Sequence, residues 1–257
     1  MTTSDATSIE TIRNLALVGP TAAGKTTLAE ALLLHSGAIT AAGSVERGST
    51  VSDHDPLEIK TQHSLQASLM HAAHGGCRIH LIDTPGLPDF IGQSLAALEA
   101  VETAAIVISA AAGIEPMARR MMEYAGQRQL DRLIIVNKID AEGADLPGLL
   151  ADIRATFGKE CLPLNLPAAG ATQVVDCFYN REGHSDFGAV DAAHRALVEQ
   201  VILASQHSWI VSLYPQDPLA VPFWQAMFEQ LPFRSLQQLV DAEDPSLLTY
   251  LINQRPH

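Results

Sequence analysis

Basic residues are scarce in this 257-residue chain, with 16 Lys and Arg against 29 Asp and Glu and a formal net charge of −13. A general nucleic-acid clamp needs a basic face, so no sequence-specific nucleic-acid binding is expected. Docking onto a ribonucleoprotein through a local patch remains compatible with this charge. Cysteine is sparse as well. Cys77, Cys161 and Cys177 are odd in number and widely spaced, which argues against a disulfide framework and for reduced thiols in a cytoplasmic protein. Long apolar runs are missing: "TAAIVISAAAGI" (103–114) is too short for a bilayer and carries polar interruptions, so no membrane partner is expected. The start, "MTTSDATSIETIRN", lacks a basic stretch leading into an apolar one, and no secretory signal is expected. What is present, 47% hydrophobic and 18% charged residues, describes an ordinary globular chain with length enough for a sizeable core.

Short apolar runs bounded by turn residues alternate with segments at helical spacing. "LALV" (15–18) leads into Gly19, and "TTLAEALLLHSG" then shows helix periodicity stopping at Gly37. "RIHLI" (78–82), "AAIVIS" (104–109) and "LIIVN" (133–137) are rich in Ile and Val, as buried parallel strands are. Residues 89–103 and 117–128 read as amphipathic helices between them. This order predicts an α/β layered fold with a mainly parallel sheet. Residues 38–64 lack periodicity, and a connection that long inside a compact domain is functional or mobile. Near residue 200 the composition shifts: no Lys follows Lys159, no Gly follows Gly188, and seven of thirteen aromatic residues lie at or beyond Trp209. "VPFWQAMFEQL", "SLQQLV" and "PSLLTYLI" read as short helices in that tail.

Three stretches carry chemistry. "GPTAAGKT" (19–26) fits G-x-x-x-x-G-K-[ST], between a strand and a helix. Its glycines let backbone N–H groups curl around phosphate oxygens, and the helix N-terminus adds the positive end of its dipole. Lys25 would reach the β- and γ-phosphates, and the Thr26 hydroxyl would bind Mg²⁺. "DTPG" (83–86) places an acid at a strand end, where a phosphate and its metal can be sensed. "NKID" (137–140) follows the "LIIV" run. There a carboxylate at Asp140 can accept two parallel hydrogen bonds from guanine and reject adenine, disfavouring an ATPase or adenosine kinase. Asn137 can bond the base edge and tie its loop to the phosphate loop, while the Lys138 stem can cover the base. Together these form a guanine-nucleotide site.

In order and spacing these motifs resemble the translational GTPases, most closely the G domain of elongation factor G. "AGKTTLAEALLLHSGAI" resembles that family's first helix and exit, and "SVERGSTVSDHDPLEIK" its first switch region. "GIEPMARRMMEYA" resembles the helix after the fourth strand, and "FGKECLPLNLPAAGATQVVDCFYN" the insertion after the guanine motif. The resemblance covers about residues 10–201, with the insertion at about 160–200, and leaves 202–257 as a divergent, mostly helical tail. It implies a P-loop GTPase G domain with helices on both faces of the sheet, plus a short helical C-terminal segment. It further implies GTP and GDP with Mg²⁺ as ligands, and the ribosome as a possible partner. Residue by residue, Gly19, Pro20, Thr21, Ala22, Ala23, Gly24, Lys25, Thr26 and Thr27 would hold the phosphates. Asp83, Thr84, Pro85 and Gly86 would form the γ-phosphate switch, and Asn137, Lys138 and Asp140 would read guanine. Thr26, Asp83 and, from the segment "TQHSL" (61–65), Ser64 would hold the metal.

The departures from the family bear on turnover. Where it carries a His directly after "DTPG" to orient the attacking water, this chain has Leu87. Slow hydrolysis is therefore expected, with Lys25 the remaining catalytic residue and His63 a conceivable stand-in. The family's last strand and Ser-Ala guanine loop are not recognisable after "AHRALVEQV" (193–201), and "IVSL" (210–213) could be a vestige of them. Two further readings follow, a guanine-nucleotide binder that regulates without turnover and a truncated fragment. The remaining candidates are bland. "HAAH" (71–74) lacks partner ligands, Arg119–Arg120 reads as a solvated helix face, and Asp53 and Asp55 as loop-solvating or helix-capping residues.

Overall fold

The computed structural model describes residues 9–204, 209–213, 233–240 and 248–254. A short 3-10 turn precedes β1 (Ile12–Val18), α1 (Lys25–His35), α2 (Pro56–Thr61), β2 (Ser68–His74) and β3 (Cys77–Asp83). A second 3-10 turn at Pro88–Phe90 leads to α3 (Ile91–Leu98), β4 (Thr103–Ser109), α4 (Pro116–Gln127), β5 (Asp131–Asn137) and α5 (Leu146–Phe157). Then come β6 (Asn165–Ala168), β7 (Gln173–Asp176), α6 (Val190–Ala204), β8 (Trp209–Leu213), β9 (Phe233–Val240) and β10 (Leu248–Gln254). The chain divides into two compact units, 1–161 with 170–172, and 162–169 with 173–257.

The first unit is built on a five-stranded sheet of order β2-β3-β1-β4-β5, parallel except for β2, which pairs antiparallel with β3. Its two-fold side-chain alternation sorts the core into layers. Ala16, Val18, Ala104, Ile106 and Ile108 face one way and pack with Leu98 of α3 and Met117, Met121 and Met122 of α4. Leu17, Ala105 and Val107 face the other way, against Ala29 and Leu33 of α1. On β5, Ile134 and Val136 pack with Leu149 and Ile153 of α5. Strands covered on both faces read as continuous apolar runs, which is why β1 and β4 are legible as short apolar stretches. Because β3 and β4 lie on either side of β1, the chain changes direction across the sheet at β1. In such sheets the crevice beyond the strands' carboxyl ends is where ligands are held.

The expected irregular connection at 38–64 contains α2, and two buried acids organise it. Glu30 of α1 is 2% exposed and accepts the N–H groups of Gly43 (2.7 Å) and Val51. Glu58 of α2 is 4% exposed and accepts Leu65 N–H at 2.8 Å and Gln66 N–H at 3.1 Å. It also closes a capping box with Asp55, whose carboxylate takes Leu57 N–H, as its expected capping role requires. A loop without a core of its own is thus held by carboxylates that collect backbone donors.

In the second unit, β6 and β7 form an antiparallel hairpin, and Leu166, Cys177, Val190 and Leu197 make a small core with α6. Residues 162–169 and 173–200 lie in this second unit. Composition marks where residue usage changes, whereas packing puts α6 with the hairpin. The helical reading of the tail is corrected for the described residues. "SLQQLV" and most of "PSLLTYLI" lie in β9 and β10; β10 pairs antiparallel with both β8 and β9, in the order β8-β10-β9. Runs this short do not distinguish a buried helix from a strand, and Thr249, Tyr250 and Ile252 favour extended backbone. The "IVSL" stretch lies in β8 and pairs with β10, not with the parallel sheet. The helix expected over "VPFWQAMFEQL" lies outside the described residues.

Replacing Glu30 with Ala strands the Gly43 and Val51 amides. The expected outcome is a loss of about 2–4 kcal/mol in chemical denaturation, with faster hydrogen exchange at those two amides. Unchanged exchange there would show that Glu30 does not hold the loop.

Candidate functional site

The stretch 19–26 leaves the carboxyl end of β1 and turns directly into α1. Helix α1 begins with neither a side-chain cap nor an acid in its first turn, since its N-cap is Gly24. Its first N–H groups are therefore available to an outside acceptor, which suits an anion. Gly24 sits at φ +91°, and a Cβ there would fall 2.3 Å from Asn137 Nδ2. That close approach lets the loop after β5 reach the phosphate loop. Asn137 Nδ2 donates to Ala23 O at 2.9 Å, and Asn137 Oδ1 accepts Lys138 N–H at 2.9 Å. Lys138 Nζ donates to Ala22 O at 2.9 Å. Ala22 (φ +59°) and Lys138 (φ +56°) both occupy the left-handed region that side chains disfavour, and the bond between them offsets part of that strain. The exposed Asp140 lies in the turn just beyond and accepts no hydrogen bond from another described residue.

Lys25 points back into its own loop. It is 6% exposed, and Nζ donates to Gly19 O at 3.0 Å and Pro20 O at 2.7 Å. Burial lowers its pKa to about 8, against the pull of Asp83 and Glu115 towards the charged form. Asp83, at the end of β3, is 1% exposed, and burial raises its pKa to about 6 despite Thr26 and Lys25, which favour the carboxylate. Neighbouring Asp53 pushes it further up. Each charge is held away from its ordinary state by lost water, and a ligand that brings both phosphate and a cation would restore both.

The sequence-predicted residues are brought together here in three groups. Thr26 Oγ1 donates to Asp83 Oδ2 at 2.6 Å and lies 3.4 Å from Ser64 Oγ. Thr84 uses its hydroxyl on Leu17 O (2.7 Å), tying the segment after β3 to β1, and Ser94 Oγ holds Pro85 O at 2.9 Å. Gly86 packs so tightly on the phosphate loop that a Cβ would meet Thr21 N at 2.4 Å and Lys25 Nζ at 2.6 Å. Thr27 is exposed in the first turn of α1. Leu87 is half-buried and precedes the Pro88–Phe90 turn, while His63 is exposed. His71 and His74 lie on β2, where an odd spacing puts them on opposite faces, and Arg119 and Arg120 are exposed on α4. Motif spacing misses Asp53, which is not a solvated loop acid: it is 6% exposed and accepts Ser64 Oγ at 2.8 Å and Thr50 Oγ1 at 3.2 Å. No pattern in the sequence separates it from Asp55 two residues later; only burial does.

Thr26, Ser64 and Asp83 offer hydroxyl and carboxylate oxygens, a hard donor set that fits Mg²⁺ rather than a thiophilic metal. The fit is supported by Asp83 Oδ1, a buried carboxylate oxygen that lacks a hydrogen-bond partner.

Comparison with known proteins gives a consistent result. Residues 10–249 match the family described as the elongation factor Tu GTP binding domain. Over 214 residues the chain is 32% identical to an elongation factor G-like protein of Mycobacterium tuberculosis, covering 79% of this chain and 30% of that protein. It is 30% identical over 243 residues to peptide chain release factor 3 of Symbiobacterium thermophilum, covering 82% of this chain and 46% of that one. A crystal structure from Thermus thermophilus superposes with a TM-score of 0.69 at 32% identity, covering 76% of this chain and 32% of that one. This chain spans less than half the length of each of these relatives.

The raised pKa of Asp83 has a consequence for the ligand-free chain. Between the ordinary value of 3.8 and about 6, the unfolded chain has released this proton while the folded chain keeps it. The unfolded state then binds fewer protons, so Asp83 makes stability fall as pH rises through that window. Asp83→Asn removes this contribution. Chemical denaturation should show the variant gaining on the native chain as pH rises, with the difference levelling off above about 6. A constant difference would contradict the buried-acid account.

Proposed function

Because the chain belongs to the elongation factor Tu GTP binding domain family, we propose that it binds GTP and GDP with Mg²⁺ and hydrolyses GTP slowly. The observation that carries this reading is the convergence of three motifs at one end of one sheet. Lys25 faces the phosphate loop, Thr26 bonds Asp83, and Asn137 bonds Ala23. Gly19 to Thr27 hold the phosphates through backbone N–H groups, and Lys25 exchanges its bonds to Gly19 O and Pro20 O for phosphate oxygens. Asn137, Lys138 and the exposed Asp140 hold the guanine. Asp140 has its acceptor oxygens open for the paired donors of that base. Gly86, in contact with both Thr21 and Lys25, is placed to respond to a γ-phosphate, with Thr84 and Pro85 anchoring its segment. Thr26, Ser64 and Asp83 hold Mg²⁺, which when bound neutralises charge on the phosphate oxygens.

In the reaction, water attacks the γ-phosphorus in line, the bond to the bridging oxygen breaks, and GDP and phosphate leave. Most catalysis in such enzymes is positioning and charge stabilisation. Lys25 supplies charge. Leu87, at the position where the resembled family orients water with His, has no proton to give and no lone pair. The rate is therefore low. A second reading, a guanine-nucleotide binder that regulates without turnover, is favoured by the same apolar side chain. No helix among the described residues is long and apolar enough to cross a membrane. We place the chain in the cytoplasm, with the ribosome as the partner suggested by its translation-factor relatives. We assign nucleotide binding to residues 10–201, including the insertion at about 160–200, and leave 202–257 as a separate segment.

Two measurements test this. Labelled GDP should bind the purified chain at micromolar concentration, and Asp140→Ala should abolish that binding. Absence of binding by the native chain would overturn both readings. Single-turnover GTP hydrolysis should be slow and rise with ribosomes, and Leu87→His should raise it by about tenfold or more. If Leu87→His changes nothing, Leu87 is not the reason for slow turnover.

A further inference from the structure

Among the described residues, two buried side-chain oxygens lack a hydrogen-bond partner, Ser52 Oγ and Asp83 Oδ1. They lie at one site: Ser52 is 3% exposed, and its hydroxyl favours the charged form of Asp83. Orphaned polar atoms are rare in a folded interior, because each loses its water without replacement. Two at one site are open to a shared polar partner.

The placement of Ser52 is enforced from both sides. Ser68 of β2 is the cross-strand partner of Asp83, and its Oγ donates to Ser52 O at 2.7 Å. On the other side Asp53 is fixed by Ser64 and Thr50. Asp83 Oδ2 is already engaged by Thr26, so Oδ1 is the oxygen left for another donor. Near these two oxygens stand the hydroxyls of Thr26 and Ser64 and the carboxylate of Asp53. Mg²⁺ suits such oxygens and holds on to several of its waters, which donate their protons and so need acceptors in the protein.

We propose that Ser52 Oγ and Asp83 Oδ1 together hold a water of the Mg²⁺ shell, making Ser52 a positioning residue of the cation site. It acts through that water and not by direct ligation. This rests on the nucleotide and Mg²⁺ reading given above. Ser52 lies outside the motifs, and its buried hydroxyl lacks a hydrogen-bond partner in the ligand-free chain.

The test is the release of fluorescent GDP from the full chain as a function of Mg²⁺, comparing the native protein with Ser52→Ala. The Mg²⁺ concentration that gives half-maximal slowing should rise about tenfold in the variant. Release in EDTA should stay within about twofold of the native chain, because the nucleotide contacts are untouched. The ligand-free variant should melt no lower than the native chain, since an orphaned buried hydroxyl has been removed. An unchanged Mg²⁺ midpoint overturns the proposal. So does faster release by the same factor in EDTA and in saturating Mg²⁺, which would mark Ser52 as structural only. A native chain that binds no fluorescent GDP in either condition would overturn the nucleotide reading itself, and this proposal with it.

Discussion

The burial of Lys25 beside Asp83 is the constraint around which the first unit is arranged. An ammonium 6% exposed and a carboxylate 1% exposed sit at the ends of a loop and a strand, close enough to influence each other. Their attraction does not compensate for the lost water, since burial leads in both pKa shifts. The fold keeps this unfavourable pair because β1 and β3 are adjacent parallel strands whose carboxyl ends deliver both residues to one crevice. Lys25 turns onto two carbonyls and Asp83 onto Thr26, which replace part of the water each has lost. On the function proposed above, stability has been given up here for a site that is complete only when filled.

The surrounding structure keeps that site open and shaped. Strain at Ala22 and Lys138 is tied off by a bond between them, and Asn137 holds the phosphate loop from the neighbouring strand end. The long connection between α1 and β2 would be mobile by composition. Glu30 and Glu58 instead collect its backbone donors and set Ser64 against Thr26. Two buried acids near a site that is itself acidic are an electrostatic burden that backbone N–H groups relieve.

Much of this could be read from the chain alone, for identifiable reasons. Strands buried on both faces and helices with one apolar stripe leave strong periodic signals, so β1, β3, β4, β5, α1 and α4 were legible. The phosphate and guanine motifs are local in sequence because each is one strand end with its turn, and backbone geometry fixes the spacing. Ser52, Asp53, Glu30 and Glu58 were not legible. Their importance comes from burial and from partners many residues away, such as Ser68 with Ser52 or Gly43 with Glu30. The tail misled because β9 and β10 are short, mixed runs whose periodicity does not separate helix from strand, and their pairing with each other decides it. Likewise the unit boundary follows the packing of α6 on the β6–β7 hairpin, which composition does not encode.

If the buried Lys25–Asp83 pair is a site waiting for phosphate, cation and guanine together, filling it must stabilise the fold. The most direct measurement is thermal unfolding of the full chain with GDP and Mg²⁺, set against the same concentration of ADP and Mg²⁺. At a thousandfold excess over the dissociation constant, GDP should add about 4 kcal/mol and raise the melting temperature by several degrees. ADP should add almost nothing. Equal stabilisation by both nucleotides, or by neither, would contradict the account.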